Sequence, residues 1–332
     1  MSKDDDYLFD KSGDADPEVA KLETVLGSAR YVSPDKNRAD RVHHTRASSA
    51  PAPRRRLFPL LAPLALAAAV VVAILLQKTT DPVRPSLDVT TVAGTTHVDE
   101  RALGPKGRLA VGAWLETDPA SRAEIELRQI GHVTVGPESR LRIAALGANE
   151  QRLELTRGVI EAKVTAVPRL FVVDTPSARA TDLGCAYRLE VVPNSGTFLR
   201  VTSGAVELAG AGRQAHVPAG ATCETRPARG PGCPYFDDAS DAFKGALRHI
   251  DFDTEHDATW LDTLLTTARV RDTLTLWQLV WRFDATKESE KEQRTRVIAR
   301  VLELVPLPPG VDLSGGSPSE FQKYQDHLAK RW

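Results

Sequence analysis

The sequence predicts a mainly β domain, built as stacked antiparallel sheets or a β-solenoid, with one transmembrane helix before it and an α-helical region after it. Three observations predict this. An uncharged apolar run spans Leu57 to Leu76. Apolar and polar residues then alternate with period two to about Val217. From Ser240 the apolar spacing turns helical. The divisions fall at residues 1–53, 54–78, 88–236 and 240–332.

The tail, residues 1–53, carries both charge signs and one credible helix. Asp16 is placed to cap it, Pro17 fits its first position, and Glu18 suits the positive end of the helix dipole. Val19, Leu22, Val25 and Leu26 form one apolar stripe, and Gly27 ends it. A helix this short is marginal alone in water, so Val19, Leu22 and Leu26 are candidates for docking onto a partner. Residues 28–56 form a basic, Ser- and Pro-containing linker whose arginines suit anionic lipid head groups.

The run LFPLLAPLALAAAVVVAILL has the roughly 20 apolar residues that a bilayer core requires. A cleaved signal peptide would have a shorter apolar core near the N-terminus, and a buried core helix would show a polar face. Arg54, Arg55 and Arg56 precede the run directly. The positive-inside rule then puts the N-terminus in the cytoplasm and everything after Leu76 outside the inner membrane.

In the β region Ala123, Ile125 and Leu127 alternate with Glu124, Glu126 and Arg128. Leu153 and Leu155 alternate with Arg152, Glu154 and Thr156. Cys185, Tyr187, Leu189 and Val191 alternate with Arg188 and Glu190. Each such strand has one face to bury. The order of short motifs here resembles the FecR family of bacterial membrane regulators. The motifs are Gly158, the strand Val159–Val164, the segment Phe171–Pro176, Gly184-Cys185-Ala186-Tyr187, VTSGAVEL (201–208) and VPAGAT (217–222). The resemblance covers roughly residues 88–225.

That resemblance implies an anti-sigma or sigma-regulating membrane protein. The outer domain would sense a signal, protein or polymer of the envelope, and the tail would control an extracytoplasmic-function sigma factor. This tail supplies one helix where the family's module has several. The family's Gly-Thr pair is Gly184-Cys185 here. Cys185 has two readings. Its thiol is placed to attack the Gly184 carbonyl and cut the chain there, or it is a small residue buried with Tyr187 and Leu189. A second class of function is an envelope scaffold with no transcriptional output.

In the last region Leu274, Trp277, Val280 and Trp281 share a helical face. A helix from near Lys287 carries Val297, Val301, Leu304 and Val305 and stops before Pro306, and Trp260, Leu261, Leu264 and Leu265 suggest another. The aromatic stripes read as core, or as a docking surface.

Chemistry is sparse. The chain of 332 residues has a net charge of −1, which gives no electrostatic case for nucleic acid. No phosphate loop, H-E-x-x-H or G-x-S-x-G occurs, so no enzyme activity, cofactor or metal is expected. The acidic run from Asp251 to Asp257 departs from a calcium loop, with His256 where glycine is required, and reads as a solvated linker. Cys223 and Cys233 flank a Pro/Gly-rich loop. They either form a disulfide pinning the β domain to the helices or stay unpaired.

Overall fold

The computed structural model describes residues 84–332, apart from 166, 254–257, 285, 314 and 316. The tail stripe Val19, Leu22 and Leu26 and the apolar run 57–76 therefore lie outside the described residues. Among the described residues no helix is long and apolar enough to cross a membrane. All of them fall in one compact unit.

The unit is mostly β-sheet with helices at its C-terminal end. Strands β1 (Ser86–Ala93), β2 (Thr96–Val98), β3 (Arg101–Leu103) and β4 (Lys106–Ala110) open it. They are followed by β5 (Trp114–Thr117), β6 (Arg122–Leu127), β7 (Gly131–Val135), β8 (Arg140–Leu146) and the long β9 (Gln151–Val164). Next come β10 (Phe171–Asp174), β11 (Arg179–Asp182), β12 (Ala186–Val192), β13 (Gly196–Ser203) and β14 (Ala205–Gly210). The last are β15 (Arg213–Pro218), β16 (Ala221–Arg226), β17 (Gly230–Pro231) and β18 (Tyr235–Phe236).

Pairing sorts these strands into two sheets. One runs β4-β1-β6-β7-β9-β12-β13-β16, with β17 and β18 on the far side of β16. The other runs β3-β2-β5-β8-β9-β10-β11-β14-β15. Only β9 with β10 is a parallel strand pair among the described residues; the other strand pairs are antiparallel. β9 belongs to both sheets. Its first half pairs with β8 and β10, and its second half with β7 and β12.

The period-two alternation becomes burial. Ala123, Ile125, Leu127, Leu155, Tyr187, Leu189 and Val201 all enter one core, while the charged residues between them face out. A buried aliphatic side chain of this kind contributes roughly 1.5–3 kcal/mol, so the alternating faces are the main source of β stability.

The pairing also shows an internal repeat. The set β5 to β9 is followed by β11 to β16 with the same partners in the same order. β5–β8, β6–β7, β7–β9 and β8–β9 recur as β11–β14, β12–β13, β13–β16 and β14–β15. Gly131 and Gly196 occupy the same place in the two halves. Their φ angles are 137° and 138°, and a Cβ would lie 1.9 Å from the Lys163 carbonyl oxygen in the first case and 2.0 Å from that of Thr225 in the second. Only glycine fits there.

The helical region holds α1 (Asp241–Phe252), α2 (Ala258–Thr267), a 3₁₀ turn (Val270–Asp272), α3 (Thr273–Val280), α4 (Glu288–Leu304) and α5 (Pro318–Ala329). Ser240 caps α1 by accepting from the Phe243 N–H. Trp277, Val297, Val301 and Tyr324 are buried in a second core. Trp281 departs from the helical stripe: it is 54% exposed, because α3 ends at Val280 and the ring lies against Phe321 and the Arg294 guanidinium at the rim. α5 has no counterpart among the helices expected from the sequence.

One expectation from the sequence is corrected at the seam between these cores. Asp251 is not part of a solvated linker. It is 3% exposed within α1, where its Oδ2 accepts from the Cys233 N–H (2.7 Å) and its Oδ1 lies 3.5 Å from Arg282. Cys223 and Cys233 are both buried free thiols. Cys223 faces the β core and the Gly232 carbonyl, whereas Cys233 packs into the helical core. At the seam the Asp251–Arg282 pair of the helical region reaches the β side by hydrogen bonds, Arg282 to the Pro231 carbonyl and Asp251 from the Cys233 N–H, both at 2.7 Å. Burial raises the pKa of Asp251, and the Arg282 guanidinium opposes that rise.

Candidate functional site

β9 turns a corner at Gly158. Arg157 pairs with Arg140 of β8 in one sheet, and the next residue, Gly158, pairs with Val191 of β12 in the other. Gly158 takes φ +85°, and Ser139 packs against it, its Oγ accepting from the Val159 N–H at 2.9 Å. The left-handed backbone requires glycine, and the serine satisfies the amide that the change of sheet releases.

A cavity of about 670 Å³ opens at this corner. β5 and the turn after it contribute Glu116, Thr117, Asp118 and Pro119, and the β7–β8 turn contributes Pro137 and Glu138. β12 and the turn after it contribute Glu190 to Pro193, and the β2–β3 hairpin contributes His97 and Glu100. Prolines and valines form the apolar walls. Five carboxylates line the cavity against one arginine, Arg157.

The carboxylates are unequally matched. Glu116 holds Arg140 at 3.1 Å and Arg157 at 2.9 Å. Glu190 lies 3.2 Å from Arg188, and Asp118 lies 3.9 Å from the His97 ring. Glu100 and Glu138 have no side-chain partner among the described residues, and both stand in turns at positive φ, 67° and 51°. The cavity thus presents negative charge that the protein does not neutralise.

The second repeat has the same corner at Gly220, with φ +81°. Pro218 pairs with β14 in one sheet and Ala221 pairs with Phe236 of β18 in the other. Here an arginine and a phenylalanine cover the glycine. The Arg271 guanidinium lies 3.8 Å from the Phe236 ring centre and 3.1 Å from where a Gly220 Cβ would be. Arg271 and Arg269 both reach Asp238, at 3.6 and 3.1 Å. The hydrogen bond from Arg269 holds the Asp238 carboxyl below the usual carboxylate range.

Gly184 and Cys185 lie on the β11–β12 turn. Cys185 is 3% exposed, and its thiol donates to Asp182 Oδ2 at 2.6 Å, while Asp182 Oδ1 accepts from the Gly184 N–H at 2.6 Å. Burial raises the pKa of both groups. The thiol is therefore held protonated beside the one group that could take its proton. Asp182 is the functional-type residue that sequence reading missed. Its only signal was a buried position in an alternating strand, where a carboxylate needs a partner. The hydroxyl of buried Tyr187 close by has no hydrogen-bond partner.

Residues 113–207 match a family model described as FecR protein. No curated protein matches the chain. Two crystal structures described as a candidate anti-sigma factor from Parabacteroides distasonis, at 1.65 and 2.50 Å resolution, align at 15% identity with a TM-score of 0.34. The alignments cover 40% of this chain and 63% or 62% of the other, so the match spans less than two thirds of those chains. The corner cavity is built largely from the residues that match this model.

Proposed function

We propose that the protein is a single-pass regulator of the inner membrane. The FecR domain senses an envelope signal on the outer side, and the N-terminal tail acts on a cytoplasmic sigma factor of the extracytoplasmic-function type. The observation that carries this reading is the FecR domain at residues 113–207, downstream of an uncharged twenty-residue run that three arginines precede. In this reading the chain is not an enzyme, and binding energy, transmitted across the membrane, is its output.

Two measurements on the full chain test it. Alkaline phosphatase fused after Trp332 should be active, and the same enzyme fused near Ser49 should be silent. Cross-linking in cells should capture a sigma factor, and Leu22→Asp should abolish the capture without changing protein level or topology. Loss of residues 1–45 with no change in gene expression would instead favour an envelope scaffold.

A further inference from the structure

Strand register brings two thiols of the seam opposite each other. In the β16–β17 hairpin Arg226 faces Gly230 and Thr225 faces Pro231. The Gly232 N–H donates to the Glu224 carbonyl at 2.8 Å and carries the ladder one residue further. Cys223 therefore stands opposite Cys233. Their pair is of the kind without mutual backbone hydrogen bonds, because the Cys233 N–H points away from β16 and donates to Asp251 Oδ2. Beyond them Thr222 faces Tyr235 and Ala221 faces Phe236, so the extra residue, Pro234, is accommodated here as a bulge. Facing residues of an antiparallel ladder have Cα atoms about 4.5–5.5 Å apart, inside the range of roughly 4.4–6.8 Å that a disulfide spans. The Cys223 thiol already reaches across, donating to the Gly232 carbonyl at 3.2 Å, while the Cys233 side chain turns into the helical core.

We propose that Cys223 and Cys233 form a redox latch, a dithiol in this structure and a cross-strand disulfide once a disulfide-bearing oxidant has acted. The bond forms by two exchanges. The Cys233 thiolate attacks one sulfur of the oxidant and releases one thiol, and Cys223 then attacks the mixed disulfide and releases the second. Two protein thiols are oxidised, one disulfide is reduced, and the two protons leave with the released thiols. Cys233 is the first nucleophile because it lines a small cavity with Tyr235 and Arg248, and because the Arg282 guanidinium opposes the rise that burial imposes on its pKa. Both thiols are buried, so the exchange is slow and follows opening of the helical region over Cys233. The new bond closes the hairpin that leads from β16 to the helices and fixes its register. Its use in the cell rests on the outer placement proposed above, where thiols meet such oxidants. The chemistry of the purified protein does not, so it stands or falls separately from the topology and the sigma-factor reading.

The test uses the full chain in a zwitterionic detergent with oxidised glutathione. After incubation the protein is unfolded in guanidinium with iodoacetamide, cut with trypsin and weighed without reduction. A species joining residues 214–229 to residues 230–244 is expected, with the alkyl group on Cys185 alone. Joining should be faster in guanidinium below the unfolding midpoint, since the helical region opens more often there. The oxidised protein should unfold at a higher guanidinium concentration than the reduced one, and dithiothreitol should reverse the shift. Cys223→Ser should lose both the joined species and the shift. The proposal is overturned if all three cysteines stay alkylated, if Cys185 is found in the bond, or if oxidation leaves the midpoint where it was.

Discussion

The corner at Gly158 and the corner at Gly220 start from the same backbone and end differently. In the first repeat β9 carries straight on into the second repeat, and its turns leave a cavity rimmed by carboxylates. In the second, β16 is followed only by the short β17 and β18, and after α1 and α2 the 3₁₀ turn brings Arg269 and Arg271 over the corner. The lesson is about closure. A repeat followed by another repeat needs no cap: Ser139 covers Gly158 and a cavity stays open beside it. A terminal repeat has to be capped, and here the protein's own arginines supply the cap.

The cap depends on how firmly the helices are held, and that gives the largest expected effect. Asp251→Ala should destabilise the protein by about 3–5 kcal/mol, because it leaves the buried Arg282 without its counter-charge. Guanidinium titration of the purified protein checks this. A loss below about 1 kcal/mol would show that the seam is held by apolar packing alone and that the ion pair is incidental. The larger value is the expectation because the substitution also strips the buried Cys233 N–H of its acceptor, the Asp251 Oδ2 at 2.7 Å.

The repeat itself can be tested at its matched glycines. Gly131→Ala and Gly196→Ala should each cost about 2–3 kcal/mol, since both add a Cβ onto a backbone carbonyl. The comparison predicts equal costs. If one substitution is neutral, the two halves are not mechanically equivalent there, and the argument from one corner to the other weakens.

Arg271→Ala is expected to do less, about 0.5–1 kcal/mol, because the guanidinium is partly exposed and its gain is one stacking contact and one loose ion pair. Guanidinium titration checks this, and a loss above about 2 kcal/mol would show that the cap over Gly220 holds the helices more firmly than these two contacts account for.

The smallest effect is with pH. Asp238 is held below its ordinary value in the folded state, so the unfolded chain takes up its proton first as pH falls. The contribution of the cap is complete above about pH 4, the ordinary carboxylate value, and is lost as pH falls through the lowered one. Comparing Asp238→Asn with the parent protein should show a stability difference at pH 6 that shrinks below about pH 4. An unchanged difference at low pH would show that the Arg269 contact does not depend on charge.

Much of this molecule was legible in its sequence because one-dimensional periodicity reports which face of an element is buried. Ile125, Leu155, Leu189 and Val201 alternate with polar neighbours, and all four are core. Trp277, Val297 and Val301 recur at helical spacing and are core as well. The order of the FecR motifs likewise lay in the sequence alone. What the tertiary structure decided were relations between residues far apart in the chain. The repeat was hidden because its halves share pairing and two glycine positions rather than a run of identical residues. Asp251 reads as one more acid in a polar run, and only the approach of Arg282 from the end of α3 makes burial tolerable. Asp182 finds the Cys185 thiol because a turn folds the two together. The cavity is assembled from four turns and a strand that bends, and local periodicity carries no information about which turns meet. Periodicity reports burial along one element, whereas a site is a coincidence of several elements in space.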